Sequence, residues 1–427
     1  MAQQGADRQM PQLARVLNET CYCAGTDIPA TREALRAPTG EPALTGAHAH
    51  LFSPLPVFVP ATAIQRMRDI VRAVHQISAL PAWRSLTLPG APGIAGHEPA
   101  CESVFMGFDF HLGDAEPKLI EINTNAGGAL LTALASRNIL YAPGVDVSCL
   151  QAIVPPPAEA FVDMFSDAFR SKFGNRPLRR IAIVDDTPGQ QYLYPEFLLF
   201  QALFQRAGID AVIADAAALV WRDGVLSVEG QPVDLVYNRL TDFYLEKPTS
   251  LALRQAYLAD AILMTPHPRA HALLARKSHL ARLGSPAALR ALGVSDGVAT
   301  ILAAGIPETI AVRDRAPDWW WARRREWFFK PESGFGGRGA YRGAGLTRAT
   351  FEAILDAGYI AQRYVPAGTR NYLPTGATQP QSMKVDLRCF VHAGEVLSVA
   401  ARVYRGQTTN FRTQGGGFAQ VFIPRED

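Results

Sequence analysis

Asp109, Glu121 and Asn123 are residue types that ligate a hard divalent cation, and the stretch that carries them reads as a hairpin. Two apolar runs, 104–111 and 118–122, flank a Gly-Asp-Ala-Glu-Pro turn centred near residue 115. Residues equidistant from the turn of an antiparallel pair face each other, which predicts Asp109 opposite Glu121 on one sheet face. Asn123 shares that face, because side chains at i and i+2 point the same way. Two opposed carboxylates repel. Mg²⁺, which takes one or two carboxylates together with waters and substrate phosphates, would remove that objection. The alternative is a solvated edge face followed by a Gly-Gly turn.

A second group of residues suits phosphate. The apolar strand around Trp327–Phe329 delivers Lys330, and Ser333, Gly334, Phe335, Gly336, Gly337 and Gly339 follow. Glycines let backbone N–H groups approach phosphate oxygens, and the lysine adds a point charge. The 334–339 spacing matches the dinucleotide fingerprint, but no helix opens after it. Ala340-Tyr-Arg reads instead as a returning strand, so a glycine hairpin folding over phosphates fits better. The Walker Gly-Lys-Ser/Thr is missing, as are the kinase catalytic-loop and Asp-Phe-Gly signatures. A plain glycine-rich surface hairpin is the alternative.

Further on, Gln362, Arg363, Tyr364 and Val365 end a strand whose backbone would offer a donor and an acceptor to an adenine edge. Lys384–Arg402 reads as a hairpin containing Asp386, Arg388 and Arg402. With its centre at Glu395, Arg388 and Arg402 face each other with an anion between them. A turn one or two residues earlier staggers them. Asn410 and the Gly415–Gly417 run follow.

The elements that position these groups come from periodicity and punctuation. Residues 61–77 carry apolar positions at helical spacing with arginine on the other face, and a helix is expected again at 158–173, after Pro155-Pro-Pro157. From there 158–265 alternates helical and apolar strand-like runs, the pattern of a small open α/β unit. Its strand-end residues Asp185, Asp186, Asn238 and Arg239 are candidate substrate contacts, or equally turn and cap residues. A third unit, from about Thr265, has Lys277 and Leu280 in helical segments and then strand-rich sequence.

Composition excludes several classes. The 427 residues allow two or three domains, and a net charge of +3 is too small to imply a nucleic-acid or membrane partner. The Trp319–Trp327 cluster interleaves aromatics with arginine but has no wider basic stripe, so it reads as a packed connector. No run is long enough to span a membrane, and the first residues lack the apolar core of a signal peptide, which makes the cytoplasm the expected location. Five scattered cysteines are no disulfide framework, and Cys21-Tyr-Cys23 is weak as a zinc signature; buried or incidental thiols are expected. His267 and His271 lack the further ligands of a metal cluster.

In this order the pieces resemble the ATP-grasp superfamily, most closely ligases similar to ribosomal protein S6 modification enzymes and bacterial glutathione synthetase. The resemblance implies a first nucleotide lysine at Lys277 and a second at Lys330 before the Ser333–Gly339 lid. It implies an adenine hinge at Gln362–Val365, with Arg363 where the family commonly has an acid, and active-site groups at Asp386, Arg388, Arg402 and Asn410. The family normally ends with an acid on a hairpin and a Glu-x-Asn motif. Here those residues are Asp109, Glu121 and Asn123, far upstream, as in the circularly permuted glutathione synthetases of eukaryotic type.

The fold class implied is α+β or α/β, a circularly permuted ATP-grasp fold with a small Rossmann-like domain. Its divisions are 1–100, N-terminal, helical and irregular; 101–150, the permuted piece; 158–265, the substrate domain; and 266–427, the nucleotide-binding subdomains. The resemblance further implies ATP and Mg²⁺ as cofactors. Small-molecule carboxylate and amine substrates would be joined through an acyl phosphate, by a homodimer as is common among similar proteins. A phosphotransferase and a non-catalytic nucleotide-binding regulator are the other functions compatible with such a fold.

Overall fold

The computed structural model describes residues 12–35, 48, 50–113, 116–144, 146–334, 336–374 and 376–425. Helix α1 (Ala61–Ser78) buries Ile64, Met67, Ile70, Val71, Val74 and Ile77, a stripe at three- and four-residue spacing. It lies so close to the helix Asp296–Gly305 that a Cβ on Gly305 would stand 2.4 Å from Ile70 Cδ1. Strands β1 (Met106–Leu112) and β2 (Pro117–Asn123) pair antiparallel, with Asp109 opposite Glu121 as expected. The expected turn centre near residue 115 lies outside the described residues. Gly128, at φ +108°, then admits helix α2 (Ala129–Ala135), because any Cβ there would meet the Phe418 ring at 2.2 Å.

The middle of the chain alternates as its pattern predicts: α3 (Ala158–Phe173), β3 (Arg180–Asp185), α4 (Tyr194–Arg206), β4 (Asp210–Asp215), β5 (Leu235–Asn238) and β6 (Leu263–Thr265). The four strands form a parallel sheet in the order β6-β5-β3-β4. Ile181 to Val184 of β3 are all buried, the continuous apolar run of a strand covered on both faces. Phe105, just before β1, inserts into this core at 5.2 Å from the Phe161 ring and 5.5 Å from Phe200. The first metal-type residue, Asp109, is therefore only four positions beyond an aromatic anchor in a different sheet's core.

The remainder builds two antiparallel sheets. Strands β7 (Thr309–Ala311), β8 (Trp327–Pro331), β9 (Tyr341–Arg342) and, after helix α5 (Arg348–Leu355), β10 (Tyr359–Arg363) assemble as β7-β10-β8-β9. Trp320 and Trp327 pack fully buried beneath them, which agrees with a packed connector. Strands β11 (Gly368–Tyr372), β12 (Gln381–His392), β13 (Glu395–Tyr404) and β14 (Gly417–Ala419) complete the larger sheet. Its order is β14-β13-β12-β1-β2, with β11 also on β12, so Arg388 is register partner to Asp109. A sheet with strands from both ends of the chain is what brings the two candidate groups together.

The start of the chain is fastened to the same sheet region. Val57–Phe58 runs parallel to Val421–Phe422, and buried Arg370 donates to the carbonyls of Pro56 and Asn18 at 2.7 Å each. Cys21 and Cys23 are joined as a disulfide, a departure from the free thiols expected of them. Among the described residues no helix is long and apolar enough to cross a membrane.

Candidate active site

A cleft of about 690 Å³ opens between the central sheet, the β8–β10 sheet and the middle unit. Among the described residues, nine lysines and arginines line it against three carboxylates, Asp109, Glu121 and Asp386, in a chain whose whole net charge is +3. That local excess suits a polyanion.

Its floor is an ion network across β1, β12 and β13. Arg388 donates to both oxygens of Asp109, at 2.7 and 2.8 Å, and Arg402 Nη2 lies 2.9 Å from Asp109 Oδ2. Asn123 Nδ2 donates to the same oxygen at 3.1 Å. Arg402 also donates to Asp386, whose other oxygen accepts from Thr409 Oγ1 at 2.6 Å. Burial alone would raise the Asp109 pKa, but the two guanidiniums outweigh it and hold the carboxyl well below its usual range. The Arg402 pKa is raised: its burial is opposed by Asp109 and Asp386.

The expected direct facing of Arg388 and Arg402 is not what forms. Arg402 is opposite Asp386, and Arg388 is opposite Ala400. The cause is the turn: Ala393 and Gly394 take φ +49° and +76°, a two-residue loop centred earlier than Glu395, with a register shift between Phe390 and Val391. The arginines stand diagonally, and the anion between them is the chain's own Asp109.

The two lysines meet the other side. Lys277 Nζ lies 3.1 Å from Glu121 Oε1 and donates to Gly334 O at 2.7 Å. Lys330 Nζ donates to Ile120 O at 2.8 Å and to Gln362 Oε1 at 2.9 Å. Burial, reinforced by Lys277, lowers the Lys330 pKa to about 8, against the pull of Glu121 and Asp109. Gly334, Gly336, Gly337 and Gly339 all have positive φ, and Gln407 Nε2 donates to Ala340 O at 2.9 Å, so the hairpin is folded down onto the 407–409 segment. Gly334, Gly336 and Gly337 line the cleft; Ser333 and Gly339 do not, and Phe335 lies outside the described residues.

Gln362, Arg363, Tyr364 and Val365 also line the cleft. Three of the backbone groups there have partners already: Arg363 N–H donates to Glu308 O, Tyr364 N–H to Glu326 O, and Val365 O accepts from His111 Nδ1. The Arg363 side chain pairs with Glu308 and Glu326, acids from neighbouring segments. Asn410 lines the cleft, its Oδ1 accepting from Arg412 N.

Of the four strand-end candidates in the middle unit, Arg239 alone reaches the cleft. Asn238 bonds Pro266 O and Leu240 N, Asp185 accepts from Asp186 N, and Asp186 pairs with Lys247; these are turn contacts. Buried Arg239 donates to Ala126 O and Tyr237 Oη, and its Nε has no partner. Glu196 of α4, also buried, accepts the Gly128 and Leu130 N–H groups and so pins the turn that follows Asn123. Sequence reasoning missed Glu196, Tyr192 and His111. His111 had a signal, since it shares the face of Asp109 two positions earlier.

No family model matches the chain, and no curated protein matches it. Solved structures do. A glutathione synthetase-like effector from Globodera pallida superposes with a TM-score of 0.52 at 12% identity, over 87% of this chain and 89% of that one. A protein provisionally described as a gamma-glutamylcysteine synthetase, from Methylobacillus flagellatus, gives 0.45 at 10% identity, over 84% and 88%. The ATP-grasp ligase PsnB, solved with a minimal precursor, Mg and ADP, gives 0.29 at 14% identity, over 57% and 88%. The chain has a mixed α/β fold, shared with the Globodera effector. The first of these structures, similar over most of both chains, is the likeness that shows it.

Proposed function

We propose that this protein is an ATP-dependent ligase that joins a carboxylate to an amine through an acyl phosphate, with Mg²⁺ as cofactor. The observation that carries the reading is the convergence of Lys277, Lys330, Arg388 and Arg402 on one basic cleft beneath a glycine hairpin. The pairing of β1–β2 onto β12 supports a permuted ATP-grasp order, with 101–150 completing the sheet of the C-terminal nucleotide-binding region and 158–265 facing substrate.

The donor chemistry fits a hard cation. Glu121 offers a partly exposed carboxylate and Asn123 an amide oxygen, both on the cleft, whereas both Asp109 oxygens are held by guanidiniums. Glu121 and Asn123 would hold the ion, and Asp109, expected as a third ligand, would instead fix Arg388 and Arg402 beside it. Bound there, Mg²⁺ would neutralise phosphate charge.

Lys277 and Lys330 would bind the polyphosphate, and the 334–339 hairpin would exclude the water that hydrolyses an acyl phosphate. A substrate carboxylate oxygen attacks the terminal phosphorus and ADP leaves. An amine nitrogen then attacks the acyl carbon, phosphate departs, and the nitrogen loses its proton. Arg388 and Arg402, fixed by Asp109 and Asp386, stabilise the charge that develops on the transferring group. ADP release measured across paired acid and amine libraries tests this: release should require both an acid and an amine. A stable phosphorylated acid formed without any amine requirement would replace the ligase reading with a phosphotransferase.

A further inference from the structure

Side chains alternate along β1. Asp109 and His111 face the cleft, whereas Met106 and Phe108 face a separate cavity of about 260 Å³ on the other side of the sheet. Among the described residues the two spaces share no lining residue. Leu273 and Leu274 extend the apolar floor made by Met106 and Phe108.

The charges around that floor fall into two separate groups. In one, Glu98 Oε1 is shared between Arg269 Nη2 at 3.0 Å and Arg84 Nη1 at 3.5 Å, two guanidiniums against one carboxylate. The Arg84 Nε is buried without a hydrogen-bond partner. In the other, the half-exposed carboxylate of Glu102 lies 3.7 Å from His75 Nε2, beyond hydrogen-bond distance. His267 on the wall adds no charge. Its Nδ1 accepts from Ala270 N and its Nε2–H donates to Cys101 O, while burial holds its pKa at about 4.

We propose that this cavity binds a free α-amino acid with an apolar side chain. The carboxylate would lie on the Arg84–Arg269 group, where guanidinium is in excess, and the ammonium on Glu102. The side chain would cover Met106 and Phe108. The size agrees, because drug-sized ligands need roughly 300–1,000 Å³ and this space falls just short of that range. This site is independent of the ligase reading, since none of its residues touches the nucleotide cleft.

Calorimetric titration of the full chain with L-leucine tests it, alongside L-leucinamide, which lacks the carboxylate, and 4-methylpentanoate, which lacks the ammonium. Leucine should bind saturably, both with and without saturating AMP-PNP. Each analogue should bind at least about tenfold more weakly, a loss typical of an unmade charge-assisted contact. Arg84→Ala should weaken leucine similarly, and Ala79→Trp, at an exposed rim position, should block it while leaving AMP-PNP binding unchanged. Absence of leucine binding, wild-type leucine affinity in both variants, or displacement of leucine by AMP-PNP would each overturn the proposal.

Discussion

Asp109 and Glu121 are cross-strand partners in one hairpin and both line the cleft, yet their surroundings differ. The Asp109 side chain is 3% exposed, and two guanidiniums hold it. The Glu121 side chain is 26% exposed and meets a single lysine amine. A buried, fully satisfied carboxylate thus frames the site, and its less satisfied neighbour is left to bind something that arrives. Desolvation decides the division, because a charge as deeply buried as Asp109 survives only with its partners in place.

Replacing Asp109 by Asn should disturb this pair most severely. Leaving Arg388 and Arg402 without their shared anion should cost about 3–5 kcal/mol of stability, read as a lower denaturation midpoint. The acid limb follows from the same carboxyl. Its folded pKa lies below the ordinary aspartate value, so its contribution is fully present above about pH 4 and is lost as pH falls through the folded value. Asp109→Asn should remove that part of the acid-induced loss.

Glu121→Gln should do the opposite. Stability should change by under about 1 kcal/mol, as for a partly exposed ion pair, while ATP turnover falls about 10²-fold or more. Equal stability losses in the two variants would erase the distinction between frame and ligand site. On the lysine side, nucleotide affinity should weaken as pH rises through about 8, where buried Lys330 loses its proton, and Lys330→Arg should flatten that dependence. The smallest effect is expected at the lid. Gly337 has φ +69°, and a Cβ there would stand 3.0 Å from Thr408 Cβ. Gly337→Ala should be tolerated at about 1 kcal/mol, seen as a several-fold higher KM for ATP.

The two hairpins also show what was legible in the residue pattern. The apolar runs and turn residues were enough to pair Asp109 with Glu121, although the ladder shifts register between Asp109 and Phe110, which the residue pattern did not signal. Arg388 and Arg402 missed each other because the two-residue Ala393-Gly394 loop shifted the centre, and both residues there adopt a left-handed conformation that alanine rarely takes. The glycine hairpin was legible because positive φ at several successive positions demands glycine. The middle unit's wall was not. Glu196 lies on a helix whose periodicity says only that it packs, and its role depends on Gly128 arriving from a different part of the chain. Likewise the Cys21–Cys23 bond carried no signal in spacing that favoured it over thiols.

The reading of this cleft turns on Glu121 and Asn123 holding the cation that accompanies a nucleotide. Titrating wild-type protein and Glu121→Gln with AMP-PNP, with and without Mg²⁺, puts that to the test. Mg²⁺ should tighten binding at least about tenfold in the wild type and have little effect in the variant, consistent with loss of a carboxylate ligand. Equal Mg²⁺ dependence in both proteins would contradict it.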